Sequence, residues 1–236
     1  MKLSPIEAAR NFIQTEFPNC VGAILSGSVT RGEETATSDL DIILFENHTY
    51  AYRESLIKYD WMIEVFVYDF ESYRPFFESD VKRARPTLPR MIAEGIMIKN
   101  HPEIEKIVKL AKYTLLEGPS KWDEKTIEIQ QYFLSDILDD FIGSNHRNEC
   151  ICIAANLLDR LHEFILRTNN HWIGSSKWIY RELNDFNPEL TKEIFSAFHD
   201  FYETGEKKNV IHVIETVLEP FGGKRFEGFR LGSNKK

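Results

Sequence analysis

Long apolar runs are missing from this chain. No uninterrupted stretch approaches the ~20 residues of a membrane span, and the opening Met1-Lys2-Leu3-Ser4-Pro5 lacks the apolar core of a signal peptide. Cysteine is scarce. Cys20, Cys150 and Cys152 are odd in number and without zinc spacing, which argues against a disulfide framework and for a reducing, cytoplasmic setting. Positive charge is also in deficit: 29 Lys+Arg face 37 Asp+Glu, a formal net charge of −8. The acidity is even, with residues 1–118 and 119–236 each carrying −4. A nucleic-acid binder normally presents a basic stripe, so neither a nucleic-acid partner nor a membrane is expected. Internal repeats and low-complexity tracts are absent. What is present is substantial: 236 residues, 42% hydrophobic and 13% aromatic. That is too apolar for a disordered chain and enough for one large or two modest cores.

Texture separates the two halves. In the first, Val21–Leu25, Leu40–Phe45 and Trp61–Tyr68 are dense in β-branched and aromatic residues and read as strands. Ile6–Phe17 reads as a helix stopped by Pro18-Asn19, and Glu103–Leu116 as a helix preceded by Pro102. The breakers Glu117-Gly118-Pro119-Ser120 mark the best boundary. Beyond them almost no strand signal remains. Thr126–Ile142 carries Ile129, Phe133, Ile137 and Phe141 at four-residue spacing, and Cys150–Leu166, Ser175–Leu183, Pro188–Tyr202 and Lys208–Leu218 read as further helices. The Gly-rich, basic tail from Gly222 is expected to be poorly ordered. The fold class expected is α+β: a mixed sheet with flanking helices over 1–118, then an all-α bundle over 119–236.

The sharpest chemical signal is Leu25-Ser26-Gly27-Ser28, ten further residues, then Asp39-Leu40-Asp41-Ile42-Ile43. Side chains alternate across a strand, so Asp39 and Asp41 share a face that continues into Ile43 and Phe45. Two carboxylates ~4 Å apart repel by roughly 4 kcal/mol at an effective dielectric near 20. One must take up a proton, both must face water, or a cation must lie between them; a hard divalent ion such as Mg²⁺ suits the spacing. In Trp61–Tyr68, Glu64 is again an acid set in an apolar row, with Met62 and Phe66. If that strand neighbours Leu40–Phe45, Glu64 completes a three-carboxylate site able to hold two metals. Gly27 lets the backbone approach a ligand closely. Ser28 is expected to open a helix through Val29–Gly32 where phosphate binding is favoured, with Arg31 one turn on. A phosphate cradle beside a metal pair is the apparatus of phosphoryl or nucleotidyl transfer.

This pattern, with Gly27-Ser28, Asp39-x-Asp41 and a third acid at Glu64, resembles the DNA polymerase β-type nucleotidyltransferase superfamily. Its small bacterial members with a helical C-terminal domain are most similar, notably the aminoglycoside and lincosamide nucleotidyltransferases and uncharacterised nucleotidyltransferase-like proteins. The motif-bearing likeness covers roughly residues 20–70, with a looser one at Gly174-Ser175-Ser176-Lys177-Trp178. It implies that Ser28 contacts the triphosphate, that Asp39 and Asp41 bind Mg²⁺, and that Glu64 is the third acid. The activity implied is transfer of a nucleoside monophosphate from an NTP, ATP being the first choice, to a hydroxyl of a small-molecule acceptor such as an aminoglycoside, with release of pyrophosphate. Relatives that share sites across a dimer make a homodimer an expectation as well.

The same likeness implies a general base from the helical domain. Asp136 is the candidate, with Asp139 and Asp140 as alternatives, and Asp136 and Asp140 are four apart on one helix face. Lys177, at a helix start where the dipole gives a cation no support, is the candidate for a phosphate contact from that side. Lys82, Arg83, Arg85 and Arg90 form the densest basic cluster of the first domain and read as a solvated loop rather than a pyrophosphate clamp. His146, His162 and His171 have no metal spacing. Two rival readings keep the fold: a protein-modifying nucleotidyltransferase acting on a Tyr, Ser or Thr hydroxyl (AMPylation), and a nucleotide-binding regulatory or antitoxin-like protein without turnover.

Overall fold

The computed structural model describes residues 2–47 and 50–232. The chain divides into two compact units, Met1–Gly118 and Pro119–Lys236. The first is built on a five-stranded mixed sheet in the order β3-β4-β2-β1-β5. Its strands are β1 (Gly22–Ser26), β2 (Asp39–Phe45), β3 (Tyr52–Lys58), β4 (Trp61–Tyr68) and β5 (Ile96–Lys99). Among the described residues only β2 and β4 pair in parallel, and the other pairings are antiparallel.

The three central strands are apolar on both faces because both faces are covered, which is why they read as continuous runs rather than alternations. On one face, Ala8, Ala9, Phe12 and Ile13 of α1 (Pro5–Glu16) pack on Leu25, Leu40, Ile42, Leu44, Ile63, Val65 and Val67. On the other, Ile24, Ile43, Phe45 and Tyr68 pack under α2 (Arg74–Lys82), α3 (Thr87–Glu94) and α4 (Pro102–Glu117) through Phe77, Leu88, Ile92, Ile104 and Ile107. Helix α1 starts where a capping box dictates: the Ser4 hydroxyl accepts from Glu7 N, the Glu7 carboxylate accepts from Ser4 N, and Pro5 takes the first helical position.

Besides the short strand β5, two features of this unit escaped sequence reading. The basic cluster is not a loop but the seam between two helices. Lys82 ends α2, Arg90 lies within α3, and buried Asp80 joins them by accepting from Arg83 and from Leu88 N at 2.7 Å. Pro89 falls in the first turn of α3, where backbone N–H groups have no intrahelical partner to lose. The second is β3, whose residues are nearly all exposed. It is a polar edge strand, joined to β4 by the two-residue turn Tyr59-Asp60 with φ of 55° and 60°.

The second unit contains helices only, among the described residues: α5 (Glu124–Gly143), α6 (Arg147–Thr168), α7 (Lys177–Phe186), α8 (Pro188–Thr204) and α9 (Lys208–Leu218). Its core gathers Leu134, Leu138, Phe141, Leu157, Leu161, Phe164, Phe198, Phe201 and Ile214. The innermost face of α5 is Gln131, Leu134, Ser135, Leu138 and Phe141, spaced by threes and fours as a straight helix requires. The stripe of Ile129, Phe133 and Ile137 flanks it. No helix among the described residues is long and apolar enough to cross a membrane.

The tail corrects the expectation of poor order for its residues through Gly232; residues 233–236 lie outside the described ones. Gln131 Nε2 donates to the carbonyls of Phe221 (2.9 Å) and Gly223 (2.7 Å), and Arg225 N donates to Ser135 Oγ (2.9 Å). Lys224 and Arg225 pair with Asp139 and Glu128, and the Phe229 ring lies parallel to Tyr132 with centroids 3.6 Å apart. Polar groups on the inner face of α5 thus fasten the start of the tail, and its own Phe229 anchors it further on.

In α6, His162 is fully buried, with Nε2 3.3 Å from the Gly174 carbonyl and Nδ1 3.8 Å from Asp159. Burial pushes its pKa down, against the weaker pull of Asp159. The folded chain therefore takes up this proton less readily than the unfolded chain. The stability involved is present above the ordinary imidazole value of about 6.5 and is lost as pH falls below it toward the folded value. Thermal unfolding followed between pH 7.5 and 5.5 should show the midpoint falling on acidification, and His162→Gln should flatten that fall.

Candidate active site

Strand topology assembles the site. Because β2 and β4 are parallel and adjacent, their N-terminal ends lie at the same edge of the sheet, with Asp39 opposite Met62 and Asp41 opposite Glu64. Strand β1 runs the other way, so its C-terminal Ser26 meets Asp41 at that same edge. All three acids lie on the face that continues into Ile43, Phe45 and Phe66 toward α2–α4. One carboxylate oxygen from each of Asp39, Asp41 and Glu64 lies within 4.8 Å of the other two, and all three residues are half-buried. An all-carboxylate oxygen donor set of this kind fits a hard divalent cation.

Gly27 leaves β1 at φ 90°, a conformation that disfavours any residue with a Cβ. A Cβ at this position would also meet Asp41 Oδ2 at 2.4 Å. The turn therefore favours glycine, and any Cβ here would also have to push the Asp41 carboxylate aside. After Gly27, the expected helix over Val29–Gly32 is only a 3₁₀ turn, Ser28–Thr30. One turn aligns too few peptides to build the dipole that draws a phosphate to the end of a longer helix. What remains is the loop itself. Ser28 Oγ donates to Ser38 Oγ at 3.1 Å, and Ser38 Oγ also accepts from Thr35 N at 2.8 Å. This closes the ten-residue connection and brings Ser28 beside the strand that carries Asp39. Thr30 Oγ1 donates back to the Gly27 carbonyl at 2.9 Å.

Arg31 is committed to carboxylates, Glu33 at 3.1 Å and Glu94 at 3.5 Å. Asp136 and Lys177 belong to the second unit and are exposed on α5 and at the first turn of α7. In the Gly174–Trp178 run, Gly174 packs against the backbone that begins α7; a Cβ there would meet the Trp178 carbonyl at 2.3 Å. That motif therefore has a structural reason of its own.

One residue at the site was missed by sequence reasoning. Arg53, on β3, hydrogen-bonds Glu64 Oε2, and its guanidinium carbon is 5.0 Å from the centre of the Phe66 ring. The bond to Glu64, reinforced by the charges of Glu64, Asp41 and Asp39, holds the guanidinium pKa above its ordinary value. The available signal was indirect: a cation on a polar segment two residues beyond the position facing Glu64 in a tight hairpin.

Gly27→Ala should test the packing at the turn. Strain at φ 90° and the clash with Asp41 should together lower stability by about 1–3 kcal/mol, read as a drop in thermal midpoint. A neutral substitution would contradict the contact.

The Nucleotidyltransferase domain family matches residues 6–129, just over half of the chain, from α1 into α5 and including every strand of the sheet. No curated protein matches the chain. Among solved structures, the chain is similar to a nucleotidyltransferase-like protein from Exiguobacterium sibiricum 255-15. The two are 11% identical with a TM-score of 0.46, over 91% of this chain and 73% of that one. With the glycine turn, the paired aspartates and the third acid lying inside the matched span, the chain belongs to the nucleotidyltransferase domain family and is a nucleotidyltransferase.

Proposed function

We propose that this nucleotidyltransferase moves a nucleoside monophosphate from an NTP, ATP first among them, to a hydroxyl of a small-molecule acceptor in a Mg²⁺-dependent reaction. One observation carries the reading: three carboxylates gathered within 4.8 Å beside a glycine turn, in a chain of this family. Asp39, Asp41 and Glu64 are the residues that would hold two Mg²⁺ ions. Bound Mg²⁺ supplies neutralisation of the triphosphate and a lowered pKa for the acceptor hydroxyl.

The chain's own groups do the rest. Gly27 offers close backbone approach and Ser28 a hydroxyl to the phosphates, while Arg31 lies on the same loop. The bond formed joins the acceptor oxygen to the α-phosphorus. The bond broken joins that phosphorus to the oxygen bridging to the β-phosphate, so pyrophosphate leaves with the electron pair. For the acceptor proton, family likeness points to a carboxylate of the helical unit. Asp139 is already paired with Lys224, which favours Asp136, with Asp140 next. Lys177 is the corresponding candidate for a phosphate contact. The formal charge of −8 suits a cationic acceptor of the aminoglycoside type.

Pyrophosphate release, measured with Mg²⁺ and each NTP across a panel of hydroxyl acceptors, tests this. Asp39→Asn should lower the rate by about a hundredfold or more with the thermal midpoint essentially kept. Full activity in that variant would overturn the site.

A further inference from the structure

The three acids share their edge of the sheet with a resident cation. Arg53 stands opposite Phe66 in the β3–β4 pairing, and Ser55 stands opposite Glu64. Residues opposed across an antiparallel pair share a face, so Arg53 rises on the same side as Glu64, one step along the strand. Its guanidinium bonds Glu64 Oε2, so it occupies the carboxylate that a metal would use. Three carboxylates against one guanidinium leave a formal −2, the charge that one divalent ion neutralises. The partners differ in freedom: the Arg53 side chain is 56% exposed and Glu64 only 24%. Glu64 is fixed in the sheet between two strands. Arg53 sits at the sheet edge on a long flexible stem, with its guanidinium over the Phe66 ring, so it can leave without disturbing backbone pairing.

We propose that Arg53 is a positioning residue that serves as the built-in counter-ion of the acid site, holding Glu64 before metal arrives and competing with the metal for that carboxylate. The proposal rests on reading the triad as a metal site. A carboxylate with a guanidinium on one oxygen is a poorer ligand, because the incoming dication meets a positive charge a few ångströms away as well as a committed lone pair. Metal binding without nucleotide is therefore weak. An NTP carries about four negative charges of its own and offsets the repulsion, so metal loading is tied to nucleotide loading.

The test is Mn²⁺ binding in the absence of nucleotide, by the loss of free-ion EPR signal, on the full chain at fixed ionic strength. Arg53→Gln should bind Mn²⁺ about tenfold more tightly than the native chain, on the order of the Coulomb penalty removed. Arg53→Lys, which keeps the charge but loses the planar fork, should stay within about threefold of native affinity. Asp39→Asn should weaken binding in either background. Circular dichroism and a thermal melt establish that each variant is folded. If Arg53→Gln binds no more tightly than native, or Arg53→Lys is as tight as Arg53→Gln, while Asp39→Asn still weakens binding, the counter-ion role is overturned and the metal site stands. If Asp39→Asn leaves binding unchanged, the metal reading falls and the proposal with it.

Discussion

The parallel pairing of β2 with β4, in the register that seats Asp41 opposite Glu64, is the constraint on which the rest of this site depends. A parallel pair needs a crossover between its strands. Here the chain passes beyond β4 to the sheet edge, returns as β3, and turns back through Tyr59-Asp60. Any slip of one residue between β2 and β4 would turn Glu64 to the opposite face, beside Leu40 and Ile42 and under α1. The fully buried row Ile63, Val65 and Val67 forbids that slip, because it would bury a carboxylate in the apolar layer under α1 and draw Ile63 out of it. Hydrophobic packing far from the acids thus fixes the geometry of the acids.

The same edge accumulates negative charge, and the neighbouring residues follow from it. Gly27 turns at φ 90°, and the Asp41 carboxylate packs where a Cβ would stand. Arg53 is drawn to Glu64 because three carboxylates within 4.8 Å raise a local field that a nearby guanidinium relieves. The charge at this edge also gives physical content to the acidic composition: part of the excess is a concentrated site rather than a solvated surface.

Much of the fold was legible where the chain is buried on both sides. The strand over Trp61–Tyr68 and the helix over Lys208–Leu218 have the limits read from the sequence, and the neighbouring runs differ at their ends by a few residues. The three acids were legible because a carboxylate in an apolar strand row is costly without a purpose. Illegible features were those whose cause lies elsewhere in the chain. Strand β3 is polar and exposed and exists because β4 offers it an edge, so Arg53 could not be placed beside Glu64 without the register. The tail past Gly222 looks unanchored because its fasteners, Gln131 and Ser135, belong to α5. The turn after Gly27 looked helical, but the loop through Ser38 closes it after one 3₁₀ turn.

The function proposed for this chain requires that Asp39, Asp41 and Glu64 form one metal-binding centre that receives the nucleotide. Anomalous scattering from crystals grown with Mn²⁺ and a non-hydrolysable ATP analogue tests it most directly. Mn²⁺ peaks are expected at the three carboxylates, with the triphosphate beside Gly27 and Ser28. Ordered analogue with Mn²⁺ bound elsewhere, and Glu64 still held by Arg53, would contradict it.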